Sequence, residues 1–181
     1  MNTDRYTIES AAEIMNVNKA TRQLAAEKLI EAWGLNTPTL KVKKVRDNAI
    51  IPTRGSEQAA GVDLYACIDE PITIIPGETK VFGSGIACDF PAGYFGAVVP
   101  RSSVGIKRKL TLPNSVGVID YDYNGEIMIA LTNIGNQAQE ICPGERLAQM
   151  ILLPYIICNI EETDTLSDTE RGTDGIGSTG V

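Results

Sequence analysis

Residues 85–99 read Gly85-Ile-Ala-Cys-Asp-Phe-Pro-Ala-Gly-Tyr-Phe-Gly-Ala-Val-Val99. Two short apolar runs, 86–90 and 94–99, flank Pro91-Ala92-Gly93. Proline has no amide hydrogen to give to a ladder, and glycine reaches backbone angles that close a turn. The stretch is therefore strand, turn, strand. The same texture recurs on both sides as LKVKKV (40–45), PITII followed by PGE (71–78), GEIMIALT (125–132) and RLAQMILLPYIIC (146–158). Short strands repeating every 8–12 residues or so, with Pro-Gly, Ala-Gly and Asn-Gly between them, predict an all-β sandwich or barrel rather than βαβ units.

Outward from this block the pattern changes at both ends. In residues 7–33, Ile8, Ala11, Ala12 and Met15 form one helical stripe and Ala26, Leu29, Ile30 and Trp33 a second. Asn16-Val17-Asn18 separates them, Gly34 stands where a helix ends, and Pro38 blocks continuation. The expected organisation is a helical appendage at 1–39, a β-domain at 40–160 and a C-terminal arm at 161–181. Gly172, Gly175, Gly177 and Gly180 make the end of that arm too flexible to be core.

A chain of 181 residues with 43% hydrophobic content can build one ordinary core. The net charge of −7 argues against broad electrostatic binding to nucleic acid or membranes, so an anionic ligand needs a local basic site. The absence of histidine removes Ser-His-Asp and Cys-His catalysis and most zinc chemistry, leaving a carboxylate as the natural general base. No G-x-x-x-x-G-K-[ST] loop occurs, which excludes a P-loop nucleotidase. Cys67, Cys88, Cys142 and Cys158 are widely spaced and read as small buried hydrophobes in a reducing compartment. With no apolar run near the roughly 20 residues of a spanning helix and no greasy leader, a cytoplasmic protein without membrane contact is expected.

Four stretches can carry chemistry. Arg101, Ser102 and Ser103, followed by Lys107, Arg108 and Lys109, form the densest basic stretch and suit an oligophosphate, or form a turn with solvated charges. Asp120 follows the apolar pair Val118-Ile119, so its carboxylate is expected in partly buried surroundings that favour a base; alternatively Asp120 and Asp122 bond to turn amides. Asn124-Gly125 beside them signals a two-residue hairpin. In residues 144–149, alternation sets Arg146, Ala148 and Met150 on one face and Leu147 and Gln149 on the other, leaving Gln149 as a polar group in search of a partner or at an exposed strand end. The tail, with Arg171, Ser178, Thr179 and many unencumbered amides, can grip phosphate or remain a glycine-rich extension.

In this order, AAGVDLYA (59–66), PRSSVG (100–105), NSVGVIDYDYNGEI (114–127), GERLAQ (144–149) and RGTDGIGSTG (171–180) closely resemble the five motifs of the trimeric dUTPase family. The resemblance implies a β jelly roll of the β-clip kind, assembled as a homotrimer with shared sites, that hydrolyses dUTP to dUMP and pyrophosphate with Mg2+. By motif position it implies Asp120 as the residue activating the water that attacks the α-phosphorus. Tyr123 is implied under the deoxyribose, excluding a 2′-hydroxyl. Asn114 with Val118, Ile119 and Met128 is implied around uracil, Arg101, Ser102, Ser103 and Gln149 on the phosphates, and Arg171, Ile176, Ser178 and Thr179 in an arm closing a neighbour's site. Magnesium is implied on the phosphates through water, with no direct protein ligand and Asp63 at most in its outer shell.

The chain departs from the family pattern at Ile176, where phenylalanine is usual, and at Ser103 and Val104, where glycine and often leucine stand. Two other functions share parts of the resemblance. A dCTP deaminase places a glutamate ten residues after the aspartate, where this chain has Ala130. A regulatory dUTP-binding protein would act through residues 1–39. Residues 7–25 loosely resemble half of a helix-turn-helix, but four basic and five acidic residues in 1–39 lack the positive face of a DNA reader. A packing or trimer-capping pair of helices is the first expectation there, and DNA or protein contact the second.

Overall fold

The computed structural model describes residues 38–170 with Gly172 and Thr173. The two helices expected within 7–33, and Arg171, Ile176, Ser178 and Thr179 of the arm, lie outside the described residues. The described chain is all-β apart from one π-helical turn, Ser103–Lys107. Its strands are β1 (Lys41–Lys44), β2 (Gly61–Tyr65), β3 (Ile72–Ile74), β4 (Thr79–Gly83), β5 (Ile86–Asp89), β6 (Tyr94–Pro100), β7 (Leu110–Thr111), β8 (Gly117–Ile119), β9 (Met128–Asn133), β10 (Gln139–Ile141) and β11 (Arg146–Pro154). They pair antiparallel in a four-stranded sheet of order β2-β11-β6-β8, a three-stranded sheet β4-β9-β7, and the pairs β1-β5 and β3-β10.

The core lies where the inward faces of these sheets meet, and Leu64, Ile74, Phe82, Ile86, Ile129, Leu131, Ile141 and Leu147 are essentially sealed from solvent. Each such side chain contributes about 1.5–3 kcal/mol relative to exposure. The alternation in β9, with Ile129, Leu131 and Asn133 buried between more open neighbours, is the period-2 pattern that its sequence predicted. Asn133 is polar yet buried because its amide donates to the carbonyls of Ile74 at 2.9 Å and Gln137 at 2.8 Å and accepts from Gly135 N–H at 3.0 Å.

Three expectations are corrected. Asn124-Gly125 does not join a hairpin: among the described residues β8 pairs only with β6, and β9 pairs with β4 and β7, so the chain crosses between sheets there. The apolar face of β9 is worth more inside the core than beside β8, and the local turn signal yields to it. In β11 the alternation breaks at a β-bulge: Arg146 is opposite Tyr65 and Ala148 opposite Leu64, leaving Leu147 as the extra residue. Leu147, Ala148 and Met150 are therefore all buried, while Gln149 is half-buried. Of the cysteines, Cys67 and Cys88 are buried but Cys142 and Cys158 are exposed, and all four are free thiols.

Burial pushes the Cys88 thiol up to about 11. A folded-state value above the unfolded one means that the contribution is intact below the ordinary thiol range and is lost as pH rises through about 11. The stability advantage of wild type over Cys88→Ala should thus shrink by about 2 to 3 kcal/mol between roughly pH 8.5 and 11, as read from urea melts at each pH. A constant difference would contradict it.

Candidate active site

At one end of the four-stranded sheet, Asp63 of β2 is buried and holds two guanidinium groups. Its Oδ1 lies 2.9 Å from Arg101 Nε and its Oδ2 3.1 Å from Arg146 Nη1. With Nε engaged, the outer edge of Arg101 is left to fork onto a phosphate. Gln149 stands beside this cluster, opposite Asp63 on one flank and Val99 on the other. Arg101 follows β6 directly, and its carbonyl accepts from the amides of Val104 at 3.0 Å and Gly105 at 2.9 Å, which starts the π-helical turn. Such turns are short and occur often at functional sites. Ser102 and Ser103 are exposed on this turn while Val104 is buried beneath it. Ser103 has no left-handed backbone, so its side chain brings no strain where the family uses glycine.

One sequence expectation changes here. Arg108 is not available to phosphate, because it donates to Gln139 Oε1 at 3.0 Å, to the Glu140 carbonyl and to the Glu145 carboxylate. Asp63, implied at most as an outer-shell partner of Mg2+, has each carboxylate oxygen on an arginine.

Asp120 follows β8, the edge strand of the same sheet, and shares its outward face with Val118. It is exposed in the single chain, contrary to the partly buried setting that Val118-Ile119 suggested, since among the described residues no element covers that face. Beside it Phe95, Val118, Tyr121 and Tyr155 line a hollow of about 590 Å³. Asn114 lies before β8, in the turn closed by Ser115 N–H to the Leu112 carbonyl at 3.0 Å. Tyr123 closes the turn after Asp120 with its amide at 3.1 Å from the Asp120 carbonyl, and its phenol donates to the Glu126 carbonyl at 3.0 Å. Gly125 leaves room for the ring where it stands, because a Cβ there would lie 2.5 Å from the phenolic oxygen and push the Tyr123 ring aside. Met128 opens β9 opposite Gly83.

These residues fall into two groups. Ile119 pairs with Gly96, which sets Asp120 next to Phe95 at the start of β6, whereas Arg101 lies past its end. Six residues of extended strand between them span about 20 Å. Arg101, Gln149 and Asp63 therefore face one end of the sheet and Asp120 and Tyr123 the other, beyond the reach of a single side chain.

Sequence reasoning gave no role to Arg46 and none to the side chains of Arg146 and Glu126, each of which holds a site element. Arg146 shares Asp63 with Arg101, and Glu126 accepts from Arg46 and from the Gly85 amide. The partners are 83 and 80 residues apart in the chain. A lone charge within a motif was the only available signal for Arg146 and Glu126, and Arg46 stands before the first motif.

A profile of the dUTPase family matches residues 47–180, nearly the whole described region and the arm. The chain belongs to the dUTPase family. A deoxyuridine 5′-triphosphate nucleotidohydrolase of Nautilia profundicola is 44% identical over 141 residues, covering 78% of this chain and 98% of the relative. That of Clostridioides difficile is 44% identical over 141 residues, covering 78% and 97%. Among solved structures, the dUTPase of Staphylococcus bacteriophage 80alpha with dUPNHPP superposes with a TM-score of 0.73 at 28% identity, covering 80% of this chain and all of that one. This dUTPase is accordingly a dUTP diphosphatase, hydrolysing dUTP with release of pyrophosphate. Among the described residues, no helix is long and apolar enough to cross a membrane.

Proposed function

We propose that this dUTPase works as a homotrimer whose sites each combine the phosphate-binding end of one chain with the Asp120 loop of another. The observation that carries this is the separation, by about 20 Å of extended strand, of Arg101 and Gln149 from Asp120 and Tyr123. One small substrate cannot bridge both groups within one chain, and closed symmetry lets every copy give and receive the same parts. A neighbouring chain would also cover the exposed face of Val118 and supply the low-dielectric surroundings that a carboxylate base needs.

In this reading Asp120 takes a proton from water as the water oxygen bonds to the α-phosphorus. The bond from that phosphorus to the bridging oxygen breaks, and pyrophosphate leaves. Arg101, Ser102, Ser103 and Gln149 hold the phosphates, the arginine with its free outer edge and the serines with single hydrogen bonds. Asn114, with Val118, Ile119 and Met128, receives uracil by its amide edge, and Tyr123 blocks the space of a 2′-hydroxyl, so that selection is by exclusion. Residues 161–181 act as an arm carrying Arg171, Ile176, Ser178 and Thr179 to a neighbour's site, closing it against water. Residues 1–39 form a separate appendage that packs on or caps the assembly, and the reducing cytoplasm suits four free thiols.

Mg2+ fits as a partner of the triphosphate rather than of the protein. Asp63 is spanned by two guanidiniums, so phosphate oxygens and water are the natural ligands, with Asp63 facing the hydration shell at most. When bound, the ion neutralises charge that builds up on the leaving pyrophosphate.

Pyrophosphate release from dUTP, dCTP, dTTP and UTP with magnesium, by the intact protein and by a version ending before Arg171, tests this reading. Rapid release from dUTP only, lost on truncation, is expected. Equal release from all four, or an active truncated protein, would contradict the base pocket or the arm respectively.

A further inference from the structure

Loop 120–127 crosses from the four-stranded to the three-stranded sheet without a ladder of its own, so something else must fix where Tyr123 stands. The fixed point is Glu126. Its Oε1 accepts from Gly85 N–H at 2.8 Å, and its Oε2 receives Arg46 Nε at 3.2 Å and Arg46 Nη2 at 2.8 Å. Arg46 Nη1 donates in turn to the Cys67 carbonyl at 3.3 Å. The Glu126 side chain is only 19% exposed, and this fork of charge-assisted bonds is the strong kind. Gly83 leaves the pair its space, since a Cβ there would collide with both. The carbonyl of the same Glu126 accepts the Tyr123 phenol at 3.0 Å, and the next residue, Ile127, is fully buried with its amide on Ile86 O at 2.9 Å.

We propose that Arg46 and Glu126 are a positioning pair for sugar selection: they anchor the loop that carries Tyr123, so that the ring cannot yield to a 2′-hydroxyl. The inference rests on the reading of Tyr123 as the residue excluding that hydroxyl. Exclusion by a ring is only as sharp as the ring is fixed. A loop that shifts by an ångström still admits dUTP but no longer rejects UTP, so the loss falls on the ratio of the two substrates rather than on dUTP binding alone.

The test is kcat/KM for dUTP and UTP in Glu126→Gln, Arg46→Gln, the double variant and Tyr123→Ala, with thermal melting of each. Glu126→Gln keeps an acceptor for Gly85 N–H but removes the charge from the fork. Each single variant of the pair should lower the dUTP-to-UTP preference roughly tenfold, and the double variant no further, as expected for neighbours acting as one unit. A lowered Tm with an unchanged preference in both single variants would overturn the proposal and leave the pair merely structural. Tyr123→Ala separates the two layers. An unchanged preference there would overturn the sugar reading and this inference with it. A lowered preference there, with none in the Arg46 and Glu126 variants, would overturn the pairing alone. Arg46→Gln, at a side chain already 44% exposed, keeps the test usable should Glu126→Gln fail to fold.

Discussion

Replacing Asp120 with asparagine is expected to slow pyrophosphate release from dUTP by about 10²–10⁴-fold, the usual worth of a general base, while nucleotide binding stays close to wild type. The amide has nearly the shape of the carboxylate and can still bond to a sugar hydroxyl, but it cannot accept the proton of the attacking water. With no histidine anywhere in the chain, no imidazole can substitute for it. Asp120 is exposed at the end of β8 and is not drawn into an ion pair, so the substitution removes no folding contact among the described residues. Calorimetric titration with a non-hydrolysable dUTP analogue checks binding, and a pyrophosphate assay checks turnover. Undiminished turnover would remove Asp120 from the role of base.

The second large effect is a gain. Asp120→Asn and Arg101→Gln proteins should each be nearly inactive alone, yet a trimer assembled from both by co-expression should recover activity. If each site draws Arg101 from one chain and Asp120 from another, some sites in a mixed trimer receive two intact halves. Random assembly at equal amounts makes about a quarter of the sites whole under closed rotational symmetry. If both residues instead served one site from the same chain, every site would carry a lesion and mixing would restore nothing. The expectation follows from the pairing of Ile119 with Gly96 and of Ala148 with Pro100, which set the two residues at opposite ends of β6.

Much of the fold was legible because it rests on local patterns. Alternating apolar residues in GEIMIALT and the Pro-Ala-Gly turn at 91–93 specify strands and breaks whatever surrounds them. Where the sequence misled, a distant partner outweighed a local signal. Asn124-Gly125 is a good hairpin turn in isolation, but β8 and β9 belong to different sheets, and the glycine serves instead to admit the Tyr123 ring. Strict alternation through Arg146 and Met150 ignored the bulge that turns both Leu147 and Ala148 inward. The basic run 107–109 looked uniform, although Arg108 is spent on β10 and the turn before β11.

The sequence by itself determined the β class, the exclusion of histidine and P-loop chemistry, and the family, because each follows from residue identity and order along the chain. Only the tertiary structure decided that Asp63 grips Arg101 and Arg146, that Glu126 is held by Arg46, and that the phosphate group and Asp120 face opposite ends of one sheet. Those facts depend on contacts between residues up to 83 positions apart. Strand register, set by the burial of whole faces, brings such residues together, and no local pattern encodes it.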